Sequence, residues 1–147
     1  MSRPEVENFR AQDGQALVEA AMTLLVLLVF IFAIFEGGRL LQVQQSLTDA
    51  ARLGAKHAVL PLTQTMPGTL PPVGDVRSRV QSFLQAAHIQ VPTGNITVNQ
   101  AVTFAGSTTT YSSVTVPYPY QVITTRMFGS LNITLTGKAL MRNETSP

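Results

Sequence analysis

A lone carboxylate lies near the start of the most apolar stretch of this chain, five residues after a glycine. The acid is Glu19, the glycine is Gly14, and residues 20–35 that follow carry no charge and one polar side chain, Thr23. An acid within a membrane-length segment costs about 2.5 kcal/mol or more near the bilayer centre and less towards its edge. We therefore expect Glu19 either to pair with a positive charge or to reach water at the membrane boundary.

The apolar stretch is long enough to span a membrane only if Glu19 is included. As a helix, residues 20–35 cover about 24 Å, whereas residues 16–35 cover about 30 Å, the thickness of a hydrocarbon core. We predict a transmembrane segment over about residues 16–36. A cleaved secretory signal is the alternative, but the stretch ends at Glu36 and Gly37 instead of a small-x-small site, and the leader is not basic.

The chain lacks the usual constellations for catalysis or metal binding. It has no cysteine, and His57 and His88 have no acid or cysteine at ligand spacing. The acids of residues 61–147 are Asp75 and Glu144, and the second is expected in a terminal tail. The net charge is only +2 and the basic residues are scattered, which argues against nucleic acid. We predict no enzyme, cofactor, metal or small-molecule substrate.

Three regions must position these residues. Residues 1–14 are a polar leader, residues 15–60 lack proline and predict one long helix, and residues 61–147 predict a globular cap. The helix is apolar first and amphipathic later, with Gly37-Gly38 as its weak point. Its distal part carries small residues at helical spacing, which would let another backbone approach, either a second helix of the same kind or its own cap. They are Ala51, Gly54, Ala55 and Ala58.

The cap sequence predicts an α+β arrangement. Proline and glycine predict a loop over residues 61–74, and Asp75 is expected to cap a helix through residue 87 with an apolar stripe of Val76, Val80, Phe83, Leu84 and Ala87. Alternating β-branched residues predict three antiparallel strands, at residues 95–104, 111–123 and 131–142. Pro117 and Pro119 demote the second half of the middle strand, and Gly137 is expected to disturb the register of the third.

The spacing of Gly14 and Glu19 on an apolar helix resembles the processing junction of type IV prepilins. More closely, the chain resembles the TadE-like family of minor pilins from tight-adherence (Tad/Flp) secretion systems. Residues 16–19, 36–41 and 47–55 carry this likeness, which is strong over residues 14–59 and weak in the cap. Gly37 departs from the pattern because the family has phenylalanine there.

The resemblance implies a role for each residue of the junction. A prepilin peptidase would cut after Gly14 and leave a new α-amino group on Gln15. In type IV pilins the acid at the place of Glu19 pairs with such a group on a neighbouring subunit and sets the subunit register. Pairing would remove the cost of an unpaired charge.

The resemblance also implies location and partners. The chain would lie in the bacterial inner (cytoplasmic) membrane, with its N-terminus cytoplasmic and its cap extracytoplasmic. Flanking charges alone weakly favour the reverse orientation. Expected partners are the prepilin peptidase, other pilins and minor pilins of the Tad system, and its inner-membrane platform. Glu36 and Arg39, three residues apart, are expected to form a pair at the outer interface.

Two other functions remain open from the sequence. One is a pseudopilin of a type II secretion system, which would depend on a different peptidase and partner set. The other is a signal-anchored envelope adhesin that never enters a filament, with a binding face built from the threonine-rich strands and from Tyr111, Tyr118 and Tyr120. A membrane-tethered enzyme has no support beyond the abundant hydroxyls.

Overall fold

A computed structural model describes residues 5–60, 69–122 and 132–144 of the chain, with side chains from residue 14 onward. These residues form helices α1 (Glu5–Val59) and α2 (Val73–Ala86), a short 3-10 turn (Thr93–Asn95), and strands β1 (Thr97–Thr103), β2 (Thr110–Gln121) and β3 (Asn132–Arg142). The predicted α+β class, with a long N-terminal helix, a short helix and three strands, is confirmed. Most of the predicted loop, residues 61–68, lies outside the described residues.

Helix α1 begins earlier than the sequence analysis predicted. It starts at Glu5 instead of Gln15, so part of the expected leader is helical. Gly14 costs about 1 kcal/mol against alanine, which is too little to stop a helix flanked on both sides by good helix formers. Gly37 and Gly38 are likewise assigned to α1.

The chain divides into two compact units, Met1–Gly38 and Arg39–Pro147. In the first unit the apolar side chains of α1 are exposed, with Leu25 and Phe30 at 64% and Ile34 at 74%. By length and composition this helix could cross a membrane, and its most apolar part is not buried within the protein. The apolar helix therefore fits a membrane anchor, because lipid would cover the surface that the protein leaves bare.

The second unit contains a three-stranded antiparallel sheet in the order β1-β2-β3, as predicted. Strand β2 pairs with β3 along its length, from Tyr111 opposite Arg142 to Gln121 opposite Asn132. Strand β1 pairs only with the first half of β2, and its register shifts between Asn99 and Val102. One face of this meander packs on the distal part of α1 and on α2.

The core of this unit follows the alternation of the strands and the four-residue spacing of the helices. Strands contribute Val114, Val116, Tyr120 and Leu135, α1 contributes Leu47, Ala50, Ala51, Ala55 and Ala58, and α2 contributes Val76, Val80 and Leu84.

Two expectations for α2 were wrong. Phe83 is 37% exposed and Ala87 is also exposed. The buried residues of α2 are Val76, Val80 and Leu84, which follow one another at four-residue steps, so Phe83 and Ala87 lie beside the buried stripe. The helix also begins before Asp75, whose N–H donates to the Pro72 carbonyl at 3.0 Å. Pro72 is the N-terminal cap, without a side-chain hydrogen bond.

The prolines of β2 did not end the strand. Pro117 lies opposite Thr136 and Pro119 opposite Thr134, so pairing with β3 continues past both. The Thr136 carbonyl accepts a bond from the Gln44 side chain at 3.1 Å, which indicates that this position turns its backbone groups away from β2. The nitrogens of both prolines then point to the edge of β2 that β1 does not reach. No neighbouring strand needs a hydrogen-bond donor at that edge.

Gly137 did not disturb the register of β3, which is a second correction. It pairs with Val116 between the neighbouring pairs Thr136–Pro117 and Lys138–Thr115. A Cβ at this position would collide with the α1 backbone at Leu47 and Thr48. Glycine is required here because the sheet and the helix meet backbone to backbone.

Candidate functional site

The residues of the expected processing junction lie on one exposed segment of α1. Gly14, Gln15 and Glu19 are all exposed, and a Cβ at Gly14 would meet nothing within 4 Å. The bond between Gly14 and Gln15 lies inside the helix, so it must open locally before a protease can cut it. Glycine makes that opening easier because it weakens a helix by about 1 kcal/mol.

Glu19 is exposed on α1. The Thr23 hydroxyl donates to the Glu19 backbone carbonyl at 2.8 Å. Asp49 and Arg52 form an ion pair at 3.5 Å on the same helix. Among the described side chains, no basic group lies within ion-pair distance of Glu19. Within an apolar environment a positive partner for this acid would have to come from outside the described part of the chain.

Glu36 and Arg39 have different surroundings. Glu36 is only 8% exposed, although its neighbours on α1 are exposed. The Arg39 guanidinium carbon lies 5.5 Å from the centroid of the Tyr120 ring, a cation–π geometry. The expected Glu36–Arg39 pair stays a prediction. Sequence reasoning missed the contact with Tyr120 because no local pattern connects α1 to the end of β2.

The small-residue face of α1 lies against the chain's own cap. Ala51, Ala55 and Ala58 are 0% exposed. At Gly54 a Cβ would collide with Val80 of α2 and come within 3.3 Å of Val114 of β2. Of the two neighbours that the sequence left open for this face, the structure places the cap against it, and the face is not free for another helix in this conformation.

A buried polar cluster at the end of α1 was not predicted. Asn143 is 1% and Ser112 is 0% exposed, and the Ser112 hydroxyl donates to the Asn143 amide oxygen at 2.6 Å. The Asn143 amide nitrogen donates to the Gln100 carbonyl at 2.8 Å and to the Thr110 hydroxyl at 3.1 Å. The cluster therefore joins all three strands.

The same cluster holds the C-terminus of α1. The Gln100 amide donates to the carbonyls of Ala58 at 3.3 Å and Pro71 at 2.9 Å. The backbone N–H of Glu144 donates to the Val59 carbonyl at 3.3 Å. Carbonyls in a helix's last turn have no partner within the helix, so these bonds satisfy them. The one sequence signal was a glycosylation-type triplet at Asn143, whose amide is in fact used internally.

Metal-ligating side chains are not clustered in the described part of the chain. Among the described residues no three of His, Cys, Asp and Glu come together as a metal site. A cleft of about 540 Å³ beside the end of α2 is lined by uncharged amides, His88, Val91 and Pro92. His88 closes α2 with a positive φ of 59°, and the Ile89 N–H donates back to the Leu84 carbonyl at 2.8 Å. The positive φ and this hydrogen bond define a Schellman motif, so His88 has a structural role at the C-terminus of α2.

The three tyrosines do not form one binding face. Tyr120 is 2% exposed on the inner face of the sheet, and Tyr118 packs partly buried against the core. Tyr111 lies on the outer face, where its ring meets Phe104 edge to face with centroids 5.2 Å apart. The aromatic surface expected of an adhesin is thus divided between two sides of the sheet.

Comparison with known proteins agrees with the N-terminal part of this picture. Residues 14–56 match a family model described as TadE-like protein. The match covers less than a third of the 147 residues and includes Gly14, Glu19 and most of the small-residue face. It confirms the resemblance predicted from the sequence and indicates a pilin-like protein associated with a Tad pilus. No curated protein and no solved structure matches the chain.

Proposed function

Because its N-terminal segment matches the TadE-like family, we propose that this chain is a minor pilin or pseudopilin of a Tad-type pilus. It is cut after Gly14 by a prepilin peptidase, anchored in the inner membrane by about residues 16–36, and carries its cap outside the cytoplasm. The observation that supports this most directly is the Gly14–Glu19 spacing on an exposed apolar helix within the matched residues.

Processing changes the charges around Glu19. Hydrolysis of the bond after Gly14 leaves a carboxylate on the leader and an amine on Gln15, which is protonated near neutral pH. Gln15 becomes the start of the helix, with free N–H groups and the positive end of the dipole. Glu19 lies one turn further, about 6 Å along the axis.

The ammonium of one subunit then pairs with Glu19 of its neighbour. Both charges lie at the edge of the apolar region, where an unpaired carboxylate is costly. A neighbouring helix displaced along the axis by about that 6 Å brings the two groups level, so the pair favours one stagger between subunits. Glu19 is thus a positioning residue for assembly, and the chain acts as a structural subunit.

The cap supplies a fixed surface at the other end of the helix. Helix α1 ends in the polar cluster and its small-residue face is covered by α2 and β2. Contact with other pilins and with the inner-membrane platform therefore falls to the exposed part of α1 and to the outside of the cap.

Deletion followed by complementation tests the proposal. Cells that lack this chain are expected to lose surface pili, counted by electron microscopy, and the wild-type chain restores them. The Glu19→Gln chain keeps the size of the side chain but not its charge, so it is expected to restore few pili. Asp49→Gln is the matched control, because Asp49 is an exposed acid on the same helix. Full piliation with Glu19→Gln would contradict the role of Glu19.

A further inference from the structure

The cap carries an exposed apolar and cationic edge at one end of its sheet. This edge, called the rim, consists of Arg39, Leu41 and Ile133, and the buried Tyr120 ring lies beneath the Arg39 guanidinium. Leu41 is 61% and Ile133 is 36% exposed, although both are large apolar side chains. Ile133 lies directly opposite Tyr120 across β2 and β3, and the Arg39 guanidinium lies over the Tyr120 ring.

We propose that the rim rests on the phospholipid surface of the membrane that anchors the chain. In this arrangement Leu41 and Ile133 enter the headgroup layer, while Tyr120 holds the Arg39 guanidinium ready for lipid phosphate. The inference rests on the proposed function in one respect, because it requires that the apolar part of α1 spans the membrane.

Chain connectivity places Arg39, the first residue of the rim, close to the membrane surface. Arg39 follows Phe35, the last residue of the apolar stretch, by four residues. A chain of that length reaches at most about 15 Å, and as a helix it rises only about 6 Å. Headgroup layers add about 5–7 Å on each side of the hydrocarbon core. Arg39 therefore falls within or next to the headgroup layer.

The chemistry of the rim suits a phospholipid surface better than a dry protein contact. Arginine binds phosphate through paired N–H groups, and the exposed Leu41 and Ile133 side chains can bury apolar surface among the lipids. The unit as a whole is basic, because residues 39–147 hold eight Lys or Arg against three acids. Such a surface is attracted to anionic lipid within a Debye length.

Tryptophan offers a clean probe because the chain has none. The full chain with Ile133→Trp is reconstituted in vesicles of phosphatidylethanolamine and phosphatidylglycerol, with or without brominated acyl chains. Leu140→Trp is the matched control, since Leu140 is 43% exposed on the same strand but on the opposite face and about 23 Å further along. Bromolipid is expected to quench the Ile133→Trp probe at least about twofold more than the control.

Equal quenching at the two positions would overturn the proposal. A blue-shifted Ile133→Trp emission without bromolipid quenching would also overturn it, because the rim would then be covered by protein. Leu41→Trp repeats the test on α1, where the exposed side chain can be changed without disturbing the core. Alkaline carbonate extraction reports separately on the anchor, so loss of the chain from the membrane would contradict the spanning helix and not the rim alone.

Discussion

The two halves of α1 differ in the size of their side chains and in what surrounds them. In the unit Met1–Gly38 large apolar side chains surround the helix and stay exposed. In the unit Arg39–Pro147 the helix carries alanines and a glycine at the contact, and strands and α2 cover them. Large side chains all round a helix suit lipid, whereas a stripe of small ones suits close contact with protein. Residue size therefore distinguishes the anchor from the scaffold within a single helix.

The strongest test of this comparison is to add one methyl group at a glycine in each unit, Gly137 at the contact with α1 and Gly38 on the exposed helix. Gly137→Ala is expected to lower the free energy of unfolding of the cap by about 3 kcal/mol, because the new Cβ collides with backbone atoms that cannot turn aside. Urea unfolding followed by circular dichroism of the chain in detergent measures the loss.

Gly38→Ala is the matched control, since nothing lies within 4 Å of a Cβ there. Alanine at an open helical position is expected to stabilise by about 0.4–1 kcal/mol. A Gly137→Ala cap as stable as the wild type would show that the sheet does not meet α1 backbone to backbone.

The polar cluster gives the next largest effect. Asn143→Ala removes the partner of the Ser112 hydroxyl and the donor to the Gln100 carbonyl, both in buried surroundings. We expect a loss of about 2 kcal/mol in the free energy of unfolding, since unsatisfied buried polar groups cost about 1–3 kcal/mol each. Asn132→Ala, at an exposed strand position, should change stability by less than about 0.5 kcal/mol. Equal effects of the two substitutions would contradict a holding role for the cluster.

Removing the stacked arginine should cost less. Arg39→Ala loses the contact with the Tyr120 ring, which at a partly exposed site is worth about 0.5–1 kcal/mol. The same unfolding measurement applies, with Arg79→Ala on the exposed side of α2 as control. Equal losses of unfolding free energy for Arg39→Ala and Arg79→Ala would show that the contact between Arg39 and the Tyr120 ring does not stabilise the cap.

The ending of α2 gives an effect of similar size in the opposite direction. His88 has a φ of 59°, a conformation that glycine adopts without a Cβ penalty. His88→Gly is therefore expected to raise the melting temperature of the cap, by a stabilisation of about 0.5–1 kcal/mol. Ala87→Gly, at a φ of −83°, should lower it. A lower melting temperature for His88→Gly would show that the imidazole makes a stabilising contact.

The sequence predicted those features that depend on local pattern. Apolar run length gave the anchor segment, four-residue spacing gave the buried stripe of α2, and β-branched alternation gave three strands in the observed order. Gly14 and Glu19 were selected for their spacing along one helix, and the matched residues include both. Their roles stay predictions.

Features that depend on distant contacts were missed or misread. Gly137 was misread as a register break because the contact that requires a glycine there is with the α1 backbone, far away in sequence. Pro117 and Pro119 were expected to demote the second half of β2, and it pairs with β3 but not with β1, whose reach could not be known from the sequence. The role of Asn143 was missed because its four hydrogen bonds run to Gln100, Thr110 and Ser112, which lie on other strands. In each case tertiary packing decided what the residue does.

The central claim is that Gly14 is where the chain is processed, and the N-terminal sequence of the protein in its native membranes tests it most directly. The account predicts a chain that begins at Gln15. Gly14→Leu should retain residues 1–14, whereas Gly38→Leu, a bulky change at another open glycine of α1, should still begin at Gln15. A wild-type chain that keeps its leader beside an active prepilin peptidase would contradict the account and favour a permanent signal anchor.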